Sequence, residues 1–344
     1  MSLDTQKASG ARLWKIALRS KALAPDLWGY VKSIIVFAVI FFATFHLPEN
    51  VVSNIHDAGS QATLEYFLIH HFSYGEDVIQ NVGPYGFVAY PDVFTGMLDL
   101  PKLILNLLLS GLIAFMATRW FHKFQSTLAS LVWIIAICSM AIHDAVLYLL
   151  VFLLCQELFL TTDGHNKKYS FGRALYVVSL AFLALMKGTF FFIGIFALLG
   201  CVVSSFARNK GIYGAVDFVI FFSAVILLWI LAGQSVDALL LYPKVAIEFS
   251  SGYNEAMTIY EHSAVTIAGF LVLSMLSFGV IIRDIEIRRW TRIPLILVQL
   301  LIIFVAWKHG FVRADGHVQV FFSFAMAASV MVFWGHPNVH DRAE

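Results

Sequence analysis

Residues Ser33 to Leu47 read SIIVFAVIFFATFHL, a run without a single ionised side chain. A basic stretch with Lys7, Arg12, Lys15, Arg19 and Lys21 precedes it, and PENVV follows it. A cleaved signal peptide has a shorter basic region and a small-x-small site after its apolar core. The run therefore reads as an uncleaved first membrane-spanning helix. Nine further apolar blocks of comparable length follow, and a bilayer needs roughly 20 apolar residues per helical crossing.

The composition agrees. Of 344 residues, 60% are hydrophobic and 13% charged, with a mean hydropathy of +0.80. Soluble domains are about a quarter charged, so this chain has too little charge to coat a water-facing sphere. A soluble enzyme, a disordered chain and a nucleic-acid binder are excluded. The expected fold class is all-α: a polytopic transmembrane bundle of about ten spans. The spans fall near 31–48, 102–118, 127–142, 145–162, 174–187, 189–206, 215–232, 263–282, 293–308 and 319–335. His143-Asp144 and Lys187-Gly188 mark two very tight turns. Residues 1–30 form a basic N-terminal segment, 31–335 a single membrane domain, and 336–344 a tail. Cys138, Cys155 and Cys201 all lie in apolar blocks, which reads as packing rather than as a disulfide framework.

Orientation follows from the Lys/Arg bias. Eighteen of the 23 cations fall in segments that the ten-span reading places on one side; Lys102, Lys187, Lys244, Lys308 and Arg313 fall on the other. Both termini are expected in the cytoplasm of a bacterial inner membrane, with loops 49–101 and 233–262 outside. The first of these loops holds seven acids and no Lys or Arg. Such a long connector is unusual. Leu64, Phe67, Leu68 and Phe72 sit at helical spacing, as in a helix lying on the membrane surface. Tyr74, Tyr85, Phe87 and Tyr90 suit the headgroup level. Glu76-Asp77 is bounded by glycine turns, and two adjacent carboxylates can supply a general base or hold a divalent cation. A solvated acidic turn is the plain alternative.

A long first outer loop with an Asp/Glu pair on a multi-span frame resembles the glycosyltransferase C superfamily. The strings GEDVIQNVGPYGF, SSGYNEAM and GFVRADGH also resemble a group of poorly characterised bacterial membrane proteins. The resemblance spans residues 30–335. It implies transfer of a sugar from a polyprenyl-phosphate carrier to an acceptor on the outer face, with Asp77 as the base and Glu76 beside it. The partners implied are the lipid-linked donor, membrane lipids and envelope-assembly proteins; no cofactor is certain.

Such a transfer needs one outer carboxylate for the acceptor hydroxyl and a few cations for the phosphate leaving group. Lys187 opposes the charge bias and can reach a lipid phosphate, or snorkel to the headgroups. Arg313 offers bidentate phosphate contact with His317 as a second donor, unless Arg313 simply pairs with Asp315. Tyr253, Asn254 and Glu255 can bind a sugar, or form a polar turn. His143 and Asp144 can orient the base or help hold a metal ion. Glu157 and Asp217 read as capping or snorkelling groups near the cytoplasmic ends of spans. Two other readings compete: a transporter of a lipid-linked anion, which would favour midplane charges and repeats, and a non-catalytic subunit of an envelope-polysaccharide system.

Overall fold

The structure, a computed structural model, describes residues 27–335 except 48–49, 52–55, 92, 141, 164–168, 209–210, 258–263, 286–289 and 313–315. The helices are α1 (Leu27–Thr44), α2 (His56–Ile69), α3 (Asp99–Phe121), α4 (Thr127–Cys138), α5 (His143–Asp163) and α6 (Phe171–Met186). They continue as α7 (Gly188–Ala207), α8 (Gly211–Leu231), α9 (Val236–Met257), α10 (Ala264–Ile285), α11 (Ile293–Phe311) and α12 (Val318–Trp334). Seven of them, α1, α3, α5, α7, α8, α10 and α11, are long and apolar enough to cross a membrane; α4, α6 and α12 are shorter apolar helices. These ten occupy the ten expected segments. The architecture is that of a multi-pass helical membrane protein.

Local chemistry sets the helix ends. The Ser126 and Ser170 hydroxyls accept the backbone N–H of Ala129 and Arg173 and open α4 and α6. Pro294 stands in the first turn of α11, where its missing N–H costs nothing. Helix α4 is shorter than expected because its end tightens, the Met140 N–H bonding Ile137 three residues back.

Helix α5 is the axle. It is apolar all round between its polar ends, and 83% of its span is buried, against 17% for α1 and 22% for α10. A helix hydrophobic on every side belongs in an interior. Around it α6, α7 and α8 pack as one group and α10, α11 and α12 as another. Small residues set the close approaches: a Cβ on Gly214 would stand 2.6 Å from the Val202 backbone.

The acids at one end of the bundle correct an expectation. Glu157 and Asp217 are fully buried and neither caps nor snorkels. Glu157 pairs with Arg119 and Lys123, and Asp217 with Arg173 and the Tyr169 hydroxyl. Each buried charge is thereby compensated.

The first long loop is a folded cap rather than a connector. Residues Asn50–Val51 (β1) and Val93–Phe94 (β2) pair in parallel and close its neck. Helix α2 packs against β2 and the 3-10 turn Gly86–Ala89, with Leu64 buried and Phe67, Leu68 and Phe72 half-buried against the core. Its apolar stripe is thus spent on protein. Glu65 on the same helix is buried, accepts the Leu98 N–H at 3.0 Å and pairs with buried Lys102. The aromatic residues expected at the headgroups are likewise folded inward. Tyr74 is buried, its hydroxyl donating to the Leu64 carbonyl; Tyr85 donates to Leu228 at 2.9 Å, and Phe87 is in the core.

The second loop is also different from expectation. A 22-residue helix, α9, replaces the polar connector, with Pro243 inside it. Ala238, Tyr242 and Ala246 recur every four residues and are buried, so tertiary packing overrides the helix-breaking proline.

Candidate functional site

The α6–α7 corner carries the site. The hairpin turns through one residue, Lys187, whose backbone is extended (φ −137°, ψ 130°) between two helices. The cap clamps this corner: the Gly83 N–H donates to Met186 at 3.3 Å, the Tyr85 N–H to Leu185 at 3.1 Å, and the Gly188 N–H to Asn81 at 3.1 Å. A Cβ on Gly83 would stand 2.4 Å from the Leu185 carbonyl oxygen, so only glycine permits the approach. The Asn81 side chain reaches Thr189 across the same seam.

With the corner fixed, the Lys187 side chain is buried and its Nζ lies 2.6 Å from Asp144 Oδ1. Asp144 Oδ2 lies 3.2 Å from His309 Nε2. Three segments far apart in sequence, the first turn of α5, the α6–α7 corner and the last turn of α11, thus converge on one carboxylate. Burial alone drives the Lys187 ammonium toward its neutral form. The charge of Asp144, with lesser help from Tyr90 and Tyr148, outweighs it and holds the pKa above that of an ordinary lysine. The site therefore holds an ammonium ion and a carboxylate with little water around them, where charge interactions are strong.

Histidines flank the pair. His317, at the start of α12, lies 6.0 Å from His309 between ring centroids, and Tyr148 stands 5.8 Å from His309. His143 is buried and meets His46 edge-on at 5.8 Å. His143 and Asp144 are in the first turn of α5, not in an interhelical turn as expected.

The remaining expected residues are placed differently. Glu76 and Asp77 are exposed. Asp77 Oδ2 accepts the Ser73 N–H at 2.9 Å and so ties its own turn. Gly75, at φ 97°, lets that turn lie against Tyr242. Among the described residues, Lys187 pairs with Asp144 and not with Asp77. Tyr253, Asn254 and Glu255 fall in the last turns of α9, and their side chains are outside the described residues. Arg313 is also outside them, in the sequence between the end of α11 at Phe311 and the start of α12 at Val318.

Sequence reasoning singled out Lys187 and Asp144 but not their contact, and it passed over Tyr148 and His46. No family profile, curated protein or solved structure matches the chain.

Proposed function

We propose that the chain is a glycosyltransferase working at the outer face of a bacterial inner membrane, with a polyprenyl-phosphate-linked sugar as donor and Asp144, Lys187 and His309 as its working centre. Ten spans with both termini in the cytoplasm put that centre outside, under the two large loops. The observation that carries the reading is the mutually compensated pair of buried Lys187 and largely buried Asp144 at the end of the bundle. Charged residues at such a position are costly and mark function by default.

The chemistry is direct. A lipid phosphate entering the site takes the Lys187 ammonium from Asp144, and His317 at the start of α12 adds a donor. The freed Asp144 carboxylate accepts the proton of the acceptor hydroxyl. The bond from the anomeric carbon to the phosphate oxygen breaks as the bond to the acceptor oxygen forms, and the phosphate leaves as an anion held by the same cations. His309 keeps Asp144 oriented throughout. This assignment moves the base from Asp77, whose carboxylate faces solvent, to Asp144.

The test is sugar transfer from a labelled polyprenyl-phosphate donor in membranes. Lys187→Met is expected to lower the rate about 10²–10³-fold, the usual effect of removing one charge-stabilising donor. Unchanged transfer would end the proposal. The exposure of Glu76 and Asp77 favours a second reading, a non-catalytic subunit whose acidic turn meets an envelope-assembly partner. Loss of polysaccharide assembly in Glu76→Gln/Asp77→Asn, with transfer intact, would select it.

A further inference from the structure

The opposite end of the bundle carries a second polar group that the proposed transfer does not use. Arg119, at the end of α3, donates from Nη1 to the Tyr176 hydroxyl at 2.6 Å and from Nη2 to Glu157 at 3.1 Å. These contacts fix the guanidinium, yet its side chain remains 42% exposed. They occupy two of its five N–H donors. Lys123, one turn on, lies over the Trp120 ring and shares Glu157, which is itself 2% exposed. Burial holds the Lys123 pKa below its ordinary value, with Glu157 opposing that shift. Two cations therefore share one buried acid. The group keeps a positive excess, and the exposed part of it is Arg119.

The surface leading to Arg119 is apolar. Ile104, Leu108 and Phe115 are all exposed and lie on one line of α3 at intervals of four and seven residues, and Arg119 continues that line one turn beyond Phe115. The guanidinium stands 5.8 Å from the Phe115 ring. Helix α1 runs alongside: the Ser33 hydroxyl meets His122 Nε2 at 2.7 Å, and the Ser110 hydroxyl donates to the Thr44 carbonyl at 3.1 Å. One residue before Ser33, Lys32 lies over the exposed Trp28 ring. A fixed cation at the head of an apolar stripe, with a second cation and an interfacial tryptophan on the adjoining helix, has the polarity of a phospholipid turned inside out.

We propose that the α1–α3 face binds one anionic phospholipid, its phosphate on Arg119 with support from Lys32 and its acyl chain along Phe115, Leu108 and Ile104. Charge complementarity selects the occupant: a zwitterionic headgroup brings its own cation toward Arg119 and Lys32, whereas an anionic one brings none. Arg is suited to this role because its planar donors fit a phosphate in two-point contact. The site is independent of the outer centre and of whether that centre transfers sugar.

The experiment is native mass spectrometry of the full chain in detergent, titrated with phosphatidylglycerol or with phosphatidylcholine of the same acyl composition. Wild type is expected to retain one phosphatidylglycerol in preference to phosphatidylcholine. Arg119→Gln should weaken phosphatidylglycerol retention about fivefold, the usual share of one cation near a lipid surface. Lys244→Gln, which removes an exposed cation at the other end, should leave retention unchanged. If Arg119→Gln does not yield folded protein, Lys32→Gln, whose side chain lies over the Trp28 ring and has no ion pair among the described residues, carries the same test with a loss of twofold or more. Equal retention of the two lipids by wild type, or equal behaviour of the Arg119 or Lys32 variant and Lys244→Gln, overturns the proposal.

Discussion

Asp144→Asn should be more damaging than Lys187→Met, although each breaks the same contact. In Asp144→Asn the Lys187 ammonium keeps its burial and loses the carboxylate 2.6 Å away, so it must be buried unpaired or give up its proton. In Lys187→Met the carboxylate still has the His309 ring at 3.2 Å as a hydrogen-bond partner and can itself take up a proton, as a buried carboxylate without a cation tends to do. Removing one partner of a buried pair costs about 3–5 kcal/mol. Asp144→Asn is placed at the upper end and Lys187→Met at or below the lower one. At roughly 2 °C per kcal/mol for a long chain, Asp144→Asn lowers the melting temperature in detergent by about 8–10 °C and Lys187→Met by about 6 °C or less. Asp144→Asn with Lys187→Met removes both charges, and it should be more stable than Asp144→Asn alone. The thermodynamic cycle should show a coupling above about 1 kcal/mol. The assay is thermal unfolding of purified variants followed by intrinsic fluorescence. Additivity within about 0.5 kcal/mol, or a smaller loss for Asp144→Asn than for Lys187→Met, would refute the reasoning.

The clamp over the site predicts that Gly83→Ala, whose new methyl would meet the Leu185 carbonyl, costs about 1–3 kcal/mol and exposes the cap to protease. Gly59→Ala, with nothing within 4 Å, should do neither. At the other end, Asp217→Asn leaves the Arg173 guanidinium buried without its carboxylate; about 3–5 kcal/mol of stability should be lost, and Arg173→Met/Asp217→Leu should recover most of it on the same melting assay. Burial raises the pKa of both Tyr74 and Tyr85 above the ordinary value of 10.0. Their contribution to stability is full below that pH and fades as the pH rises toward their folded values. Tyrosinate absorbance of these two rings should therefore emerge together with cap unfolding, and Tyr85→Phe, which loses the bond to Leu228, should cost about 1 kcal/mol.

The ten apolar helices were legible because each is a block of apolar residues bounded by charges, a signal that needs no knowledge of neighbours. Helix α9 was not. Pro243, Ser250, Ser251 and Gly252 argue locally for a connector, and only the burial of Ala238, Tyr242 and Ala246 against the cap and α7 makes it a helix. Lys187 stood out by opposing the charge bias, but its partner lies 43 residues away and the third member of the group a further 122 residues along the chain. Such pairings exist only after packing. Glu65 shows the same limit: it sits between Leu64 and Tyr66 in an amphipathic stretch with no cation near it in sequence, whereas Lys102, the one cation bordering an all-acidic loop, is buried against it. Asp77 drew attention by its glycine-flanked neighbourhood, and the structure explains that neighbourhood as turn formation, with Gly75 fitting the turn against Tyr242.

The decisive comparison is sugar transfer from a polyprenyl-phosphate-linked donor by Asp144→Asn, Lys187→Met and Asp77→Asn in parallel, each normalised to folded protein. The account predicts that the first two fall about 10²–10³-fold while Asp77→Asn stays within a factor of about two of wild type. Full activity in Asp144→Asn together with its loss in Asp77→Asn would contradict it.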